Sequence, residues 1–596
     1  MRKMGTFNIV TYGAVAGTIS PSVGTANKKA IAAAIASAIA VKGTVYIPSG
    51  TYFINSLFNN LSGTFNIEGE GPQSEIYCVE ATPTNSDRRI FSITNCIGGS
   101  FKDFKVSSNA VVGTSTRSNF AWGLGLISSS QCKVEGVYIA KTFAAGLMFQ
   151  SCSSIEIIGN HVTQTCADSI HMTNGCTDMI VSDNTTFDCG DDSIAVVTYT
   201  NEPYCERILI HNNILDKSWA RGITVVGGKK VVISNNIVTN TASSGILTAF
   251  ESGEFNTKDV FDVTIVGNQV HRAGTYFPVI PTNGNHFGIE ISSGTDIIAT
   301  DNNVTSSNSR GITVADSKTK RVSINNNNVK YSGSTGIYAG SVKGLGLTGN
   351  TTTMNKAQGI ALIATRDVIA NNNYVQNNNF WDKDSEVTTL SAAISATVNT
   401  LKFASGVNFA IFSVSFAIVI DLEQMSVTAF NSTTGNATVI RGQNGTAAAP
   451  HAAGAIITSG PRTVSTDNVL IQNCTNIVFE GNQSLEDWSV ALYPDTNIHN
   501  ADKTPAIKNR VERAVEFTGN IRFRVLGNLI YCGSGTITSV YFGTPNTNTD
   551  GLRDDYKGTT VPNETAFRAG QTYYKTDTDV GYVYNGSVWR GVKYTL

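Results

Sequence analysis

The strongest constraint on this chain is a repeat. An apolar-x-apolar phrase ending in Asn and another apolar residue recurs along its middle, as IIGNHV (157–162), LIHNNIL (209–215), VISNNIV (232–238), TIVGNQV (264–270) and SINNNNV (323–329). The anchoring asparagines are Asn160, Asn184, Asn213, Asn236, Asn268, Asn302, Asn327, Asn350 and Asn373, spaced by 24, 29, 23, 32, 34, 25, 23 and 23 residues. Half a period later runs a second phrase: AAGLMF, DSIHM, DSIAVV, RGITVV, SGILTA, FGIEIS. Its anchors include Gly146, Ser169, Ser193, Gly222, Gly245 and Gly288, and the two columns advance together. Apolar residues alternate within each phrase, which is the period of a strand and not of a helix. Short strands and turns repeating every 23 residues or so predict an all-β solenoid, a parallel β-helix. Equivalent residues then stack about 4.8 Å apart. The asparagine column becomes a structural ladder of side-chain amides.

The ends of the solenoid need covers, because a terminal coil exposes unpaired backbone. At the N-terminus FNIVTYGAVAGT is followed by an Ala-rich segment (27–41) and then GTVYIPSGTYFI. The Ala-rich segment has helix propensity and is expected to cap the first coil. The repeat fails over 386–460, which contains IVIDLEQMSVTAF and VIRGQNGTAAAPHAAGAII, and resumes at VLIQNCTNIVFEGN (469–482) and IRFRVLGNLIY (521–531). The expected organisation is therefore an N-terminal cap and first coil (1–60), a parallel β-helix catalytic domain (61–385), a small inserted β module (386–460), final coils (461–535) and a C-terminal β module (536–596).

The opening stretch closely resembles the start of pectate-lyase-like β-helices of bacteriophage tailspikes, by motif over 5–54 and by repeat pattern to about 380. The DxEQM…RGQNGT signature of 386–460 and the GQTYYKTDTDVGYVYNGSVW stretch near the end are similar to small modules of phage tail proteins. This resemblance implies a right-handed coil, a homotrimer, phage tail or baseplate proteins as partners and a place on the virion. No virion-anchoring domain is legible before the first coil, so a truncated chain is expected.

Composition excludes several classes. Net charge is −2 with a sequence pI near 6.4, which gives no electrostatic reason for nucleic acid or an anionic membrane as partner. No apolar run approaches the roughly 18 residues that span a bilayer, so no membrane insertion is expected. Ten cysteines, none in a CxxC pair and most within apolar strands, read as reduced core residues made in the host cytoplasm.

Charged residues are only 15% of the chain, which makes FDCGDDSIAVV (187–197) conspicuous. The position before the second anchor carries Asp168, Asp192 (with Asp191 beside it) and Arg221 on successive repeats, and two residues beyond it lie His171, Thr224 and Glu290. A bend permitted by Gly at the anchor would turn these residues outward as one patch. Like charges that close raise one another's pKa, which can supply an acid beside a base. ADSIHM followed by CGDDSIAVV resembles the NTDGI and GDDCIAI motifs of polygalacturonase-type glycoside hydrolases. The resemblance implies inverting hydrolysis, with Asp191 as acid and Asp168 and Asp192 activating water. It departs at ARG, where Arg221 replaces the family's His, and no RIK motif is present; both argue against polygalacturonate as substrate. Long repeats place loops at 198–207, 249–261 and 274–286, a candidate groove wall offering Tyr199, Tyr204, Phe255, Tyr276 and Phe277 for sugar stacking and Glu251, Glu254 and His286 as polar contacts. Asp188 reads as a turn residue and Arg310 as a solvated one.

The expected function is a tailspike-like depolymerase that binds and cleaves, endo-wise, a bacterial surface polysaccharide, capsule or O-antigen. No cofactor is needed. A polysaccharide lyase on the same groove is the alternative; Asp168, Asp191 and Asp192 would then hold Ca²⁺ through oxygen ligands. A DD pair beside Gly is by itself a common turn, so a non-catalytic glycan-binding adhesin is the third reading.

Overall fold

A computed structural model describes residues 5–79, 87–118, 120–253, 255–276, 286–376, 378, 386–404, 416–421, 423–431, 434–443, 446–459 and 467–486, and beyond these the backbone of strands between Arg513 and Val592. The chain divides into two compact units, one formed by 1–279 with 289–302, the other by 280–288 with 303–596.

The first unit is a right-handed parallel β-helix. Each coil contributes three short strands, one to each of three parallel sheets. A typical coil runs Glu156–Ile158, His161–Thr163, Ile170–Thr173, and every strand pairs in register with its counterpart one coil on. Alternate residues point inward, so Ile157, Val162, Ile170 and Met172 are fully buried. The bend between the first two strands is set by two residues. The first adopts positive φ and is Gly, Asp or Asn in every case: Gly159 (64°), Asp183 (57°), Asn212 (55°), Asn235 (55°), Gly267 (67°). These are the types that tolerate a left-handed backbone. The second is the ladder asparagine. Asn160, Asn184, Asn213, Asn236 and Asn268 are wholly buried, and each donates Nδ2 to the next one's Oδ1 at 2.9–3.0 Å. The same Oδ1 also accepts the preceding asparagine's backbone N–H.

The cap is a helix, Pro21–Val41, longer than the Ala-rich segment predicts. Ser20 caps it and Pro21 takes its first turn, where a missing N–H costs nothing. Ala30, Ile31, Ala34, Ile35 and Ala38 face the first coil, and Asn27 bonds the backbone of Val15 and Phe53. No helix is long and apolar enough to cross a membrane among the described residues. Nine of the ten cysteines are described, and all nine are buried and free.

The second unit is built from a three-strand coil of the same kind, with its own ladder Asn327–Asn350–Asn373–Asn482. The last step spans 109 residues because a module leaves the coil after Tyr374–Gln376 and the chain returns in register at Gln483–Glu486. That module is a six-stranded antiparallel sheet of Glu386–Thr389, Thr400–Lys402, Phe416–Ile420, Glu423–Asn431, Asn436–Ile440 and Ile456–Ser459. Its motif residues form one buried network: Glu423 accepts from Arg441 (2.6 and 2.7 Å), from the N–H of Gly442 and Ala449, and lies 2.9 Å from His451 Nε2. Near the C-terminus parallel pairing runs on past 535, through Thr538–Phe542 to Asp555–Gly558, and ends in the antiparallel strands Thr572–Lys575, Val580–Tyr584 and Trp589–Val592. The coils therefore end later than the sequence boundary at 535.

Candidate active site

The second column forms the edge of the sheet that contains Ala145–Gln150, Ile170–Thr173, Ile194–Val197, Ile223–Val226 and Ile246–Ala249. Main-chain bonds hold its residues on successive rungs: Ser169 N–H to Asp192 O (3.0 Å), Ser193 N–H to Arg221 O (3.0 Å), Gly222 N–H to Ser244 O (3.3 Å). The anchor glycines do not serve as a bend of special φ. They are needed for space, since a Cβ at Gly222 would sit 2.2 Å from Val238 Cγ1 and one at Gly146 2.4 Å from Val162 Cγ1.

Three carboxyl groups meet here. Asp168, Asp191 and Asp192 each place an oxygen within 4.8 Å of the other two. They are not the open outward patch that a bend at the anchor would make: Asp168 is 7% and Asp192 5% exposed. The acids are tied to the backbone by one device used twice. Asp168 Oδ1 accepts the N–H of Asp192 (3.0 Å), and Asp192 Oδ1 accepts the N–H of Arg221 (2.8 Å). Asp168 Oδ2 lies 2.6 Å from His171 Nδ1, Asp192 Oδ2 lies 3.6 Å from Arg221, and Arg221 also binds Glu251 Oε1 at 2.7 Å.

The environments separate the three acids. Burial pushes the Asp168 carboxyl up, but the His171 bond and charge, with Arg117 beyond, hold it below its ordinary range. Burial lowers His171, and Asp168 more than reverses this. Asp191 is raised by burial and by the charge of Asp168, against the pull of Arg117. Asp192 is pushed up to about 7 by burial, partly offset by Arg221 and reinforced by the other two acids. One acid is thus kept ionised beside two that hold their protons more tightly, Asp192 into the neutral range, the division that acid–base chemistry uses.

Arg117 is the residue that sequence reasoning missed. Its guanidinium pairs with Asp191 across 74 residues of chain. It is delivered by a strap, 109–118, that follows Lys105–Ser108. Gly113 of the strap sits against the Trp219 ring, where a Cβ would come within 2.3 Å of Cη2. Trp219 is held in turn by Asp188, which accepts from its Nε1 (3.1 Å) and from Tyr276 OH (2.9 Å). Asp188 is not a simple turn residue: it lies in the strand Thr185–Cys189 at a left-handed φ of 55°, and its carboxylate buttresses the site. The strap is a long connection beside shorter ones, and that length was the available signal.

The other named residues divide. Tyr199 packs on Ala195, Val197, Val226, Leu247 and Ala249, and its backbone bridges Thr257, so the loops 198–207 and 249–261 are zipped into one wall. Thr200 N–H to Asn256 O and Lys258 N–H to Thr198 O complete the zip. Tyr204 is committed to that wall, edge-on to Phe261 and under the Lys258 ammonium. Phe255 is exposed. Glu290 lies on the His171 column four rungs along, buried and bound by Ser244 and Ser292, both at 2.5 Å, apart from the carboxyl cluster. His286 is buried in the second unit, and Arg310 there is half-buried and lies over the Tyr338 ring at 3.6 Å. Glu254 and Phe277 lie outside the described residues.

The three carboxylates could each offer an oxygen to a cation, in competition with the contacts they already make. Ca²⁺ takes six to eight oxygen ligands, whereas here one oxygen each of Asp168 and Asp192 is spent on an N–H, and Arg117, Arg221 and His171 already supply the opposing charge.

A right handed beta helix region family matches residues 107–270 and 183–323. No curated protein sequence matches the chain. Among solved structures, the chain is similar to the catalytic unit of a thermostable GH87 alpha-1,3-glucanase from Streptomyces thermodiastaticus, at 19% identity and TM-score 0.45, covering 64% of this chain and 68% of that one. It is similar to tailspike protein 3 of bacteriophage CBA120, at 13% identity and TM-score 0.40 over 98% and 69%. It is also similar to PfbA, a surface adhesin of Streptococcus pneumoniae, at 13% identity and TM-score 0.44 over 60% and 93%. The chain is a right-handed parallel β-helix, and the fold by itself assigns no activity.

Proposed function

We propose that the protein is a glycoside hydrolase that binds and cleaves, endo-wise, a bacterial surface polysaccharide, as a phage tailspike depolymerase does. The observation that carries this reading is the convergence of Asp168, Asp191 and Asp192 within 4.8 Å, with guanidinium groups on two of them and an imidazole on the third. Glycoside hydrolysis needs one protonated and one ionised carboxyl group at the same bond. Asp191 is the most exposed of the three and reaches furthest toward solvent, so it delivers the proton to the glycosidic oxygen once substrate displaces Arg117. Asp168, held ionised by His171, takes the proton from the attacking water. Asp192 shares the acid proton with Asp191. An inverting reaction usually leaves roughly 6.5–9.5 Å between its carboxyl groups; the nearest oxygens here are closer, so a water must enter from the open side of the cluster.

The same reading gives a homotrimer on a virion tail, capsule or O-antigen as substrate, and tail or baseplate proteins as partners. Mass spectrometry of products from a panel of bacterial surface polysaccharides tests it. Products one water heavier than the repeat unit are expected, with loss of cleavage in Asp191→Asn. Unsaturated products would replace hydrolysis by elimination. Glycan binding with unchanged polymer length, indifferent to Asp191→Asn, would make the protein an adhesin. The anomeric configuration of the first product, followed by NMR, decides inversion.

A further inference from the structure

Below the carboxyl cluster the column that contains Asp191 continues toward the N-terminus as a floor of small residues. Asp192 is level with Asp168, so Asp191 is level with Ala167; Ala144 and Ala121 follow, and Ala121 pairs with Arg88. Arg88 therefore stands four rungs from Asp191, about 19 Å at a rung spacing of about 4.8 Å. That span matches the length of several sugar units.

Its chemistry is unequal. Arg89 is fully engaged, held by both oxygens of Asp87 at 2.8 and 2.6 Å. Arg88, its neighbour, has no carboxylate partner among the described residues, and its Nε–H is buried without an acceptor. The Arg88 guanidinium instead lies 4.1 Å over the Phe143 ring, and Phe143 packs on the alanine floor. The strap returns here: Ser118 N–H bonds the main-chain O of Phe143 at 3.2 Å. Burial pushes the Cys166 thiol up to about 11, and the charges of Arg117 and Arg88 both pull it back, so both guanidinium groups stand within electrostatic reach of one point under the floor. Phe120, which precedes Trp122 by two residues as Phe143 precedes Ala145, is 57% exposed at the edge of this floor.

We propose that this floor is a substrate subsite for a sugar bearing a carboxylate, its ring on Phe120 and its anionic group on the Arg88 guanidinium. The proposal rests on the hydrolase reading for its position and adds the charge of the substrate. An Arg with a free, desolvated donor leaves a cost that only an acceptor removes, a planar guanidinium matches a carboxylate in two parallel bonds, and an exposed aromatic beside it offers the apolar face of a sugar its partner.

The test uses the full chain and the polysaccharide panel, each polymer presented native and after chemical reduction of its carboxyl groups to alcohols. A third sample of each is treated with mild acid, which strips pyruvate ketals but leaves uronic acids. Cleaved or retained polymers are expected to be acidic. For those cleaved, Arg88→Met should raise KM roughly 10- to 100-fold with little change in kcat, Arg88→Lys should recover part of this, and carboxyl reduction should bring wild type to the level of Arg88→Met with no further loss in the variant. Equal action on native and reduced polymer, or equal loss in Arg88→Met on both, would overturn the subsite and leave the hydrolase standing. Should nothing be cleaved, hydrolysis fails but the subsite is still judged by retention: acidic polymers held by wild type and released by Arg88→Met support it, and neutral polymers held equally, or none held, refute it.

Discussion

Replacing Asp168 by Asn isolates the ion pair on which the proposed division of labour depends. The side chains of Asp168 and His171 are 9% and 12% exposed, so their 2.6 Å contact is little screened. Asparagine keeps an oxygen to accept the Asp192 N–H and removes only the charge. An opposite charge at hydrogen-bond distance moves a pKa by about 1–3 units, and each unit is worth 1.36 kcal/mol, so about 1.4–4 kcal/mol of His171 protonation should be lost. In the wild type, His171 is raised above its ordinary value of about 6.5. Its share of stability is complete below about 6.5 and fades as pH climbs through the raised value. Asp168 is depressed, so its share is complete above about 3.9 and fades as pH falls through the lowered value. The stability gap between wild type and Asp168→Asn should therefore be widest between about pH 4 and 6.5 and close on both sides. NMR of ¹³C-labelled histidine reads the titration directly, with His171→Gln identifying the signal among seven histidines. In the variant the signal should titrate below 6.5, because burial, joined by the positive charge of Arg117, is then opposed by Cys205 alone. A wild-type His171 that already titrates at or below 6.5, or one that Asp168→Asn does not move, would refute the argument.

Asp192→Asn should remove a titration near pH 7 from the kcat/KM profile while leaving a step from Asp191, which pH–rate measurement on a cleaved glycan would show. Gly113→Val should cut cleavage by displacing the strap that delivers Arg117, since the position has φ 75° and no space beside Trp219; circular dichroism should show the coils unchanged. Asn213→Ala strips the acceptor from two buried donors, the N–H and one Nδ2–H of Asn184, and should cost about 2–6 kcal/mol, seen as faster hydrogen exchange in the flanking coils. Glu423→Gln should loosen the antiparallel module by about 3–5 kcal/mol, because Arg441 is only 6% exposed at its side chain and keeps no full counter-charge. Local proteolysis there, with polysaccharide cleavage retained, is the expected result.

Much of this molecule was legible because a solenoid converts chain spacing into spatial order. Once 23-residue spacing fixes the coil, Asn160 must meet Asn184, and Asp168 must meet Asp192, with no tertiary information beyond the repeat. The same logic explains what could not be read. Arg117 reaches Asp191 from a strap that obeys no period, and its place is set by Gly113 lying on Trp219, itself fixed by Asp188 and Tyr276 from two other coils. Column position likewise gives the rung of a side chain but not its surroundings: Glu290 shares a column with His171 yet is taken up by two serine hydroxyls, and Tyr204, expected to stack on a sugar, packs into the wall. The acids read as an open patch because a bend was expected at the anchor glycines, and a repeat carries no account of depth, whereas the loop zip and the strap bury them. That depth supplies the chemistry. In an open patch, water would screen Asp191 and Asp192 and both would ionise; walled in, they hold protons that an exposed pair would lose. The repeat brings the carboxyl groups together, and the irregular segments, which the repeat cannot forecast, decide which of them carries the proton.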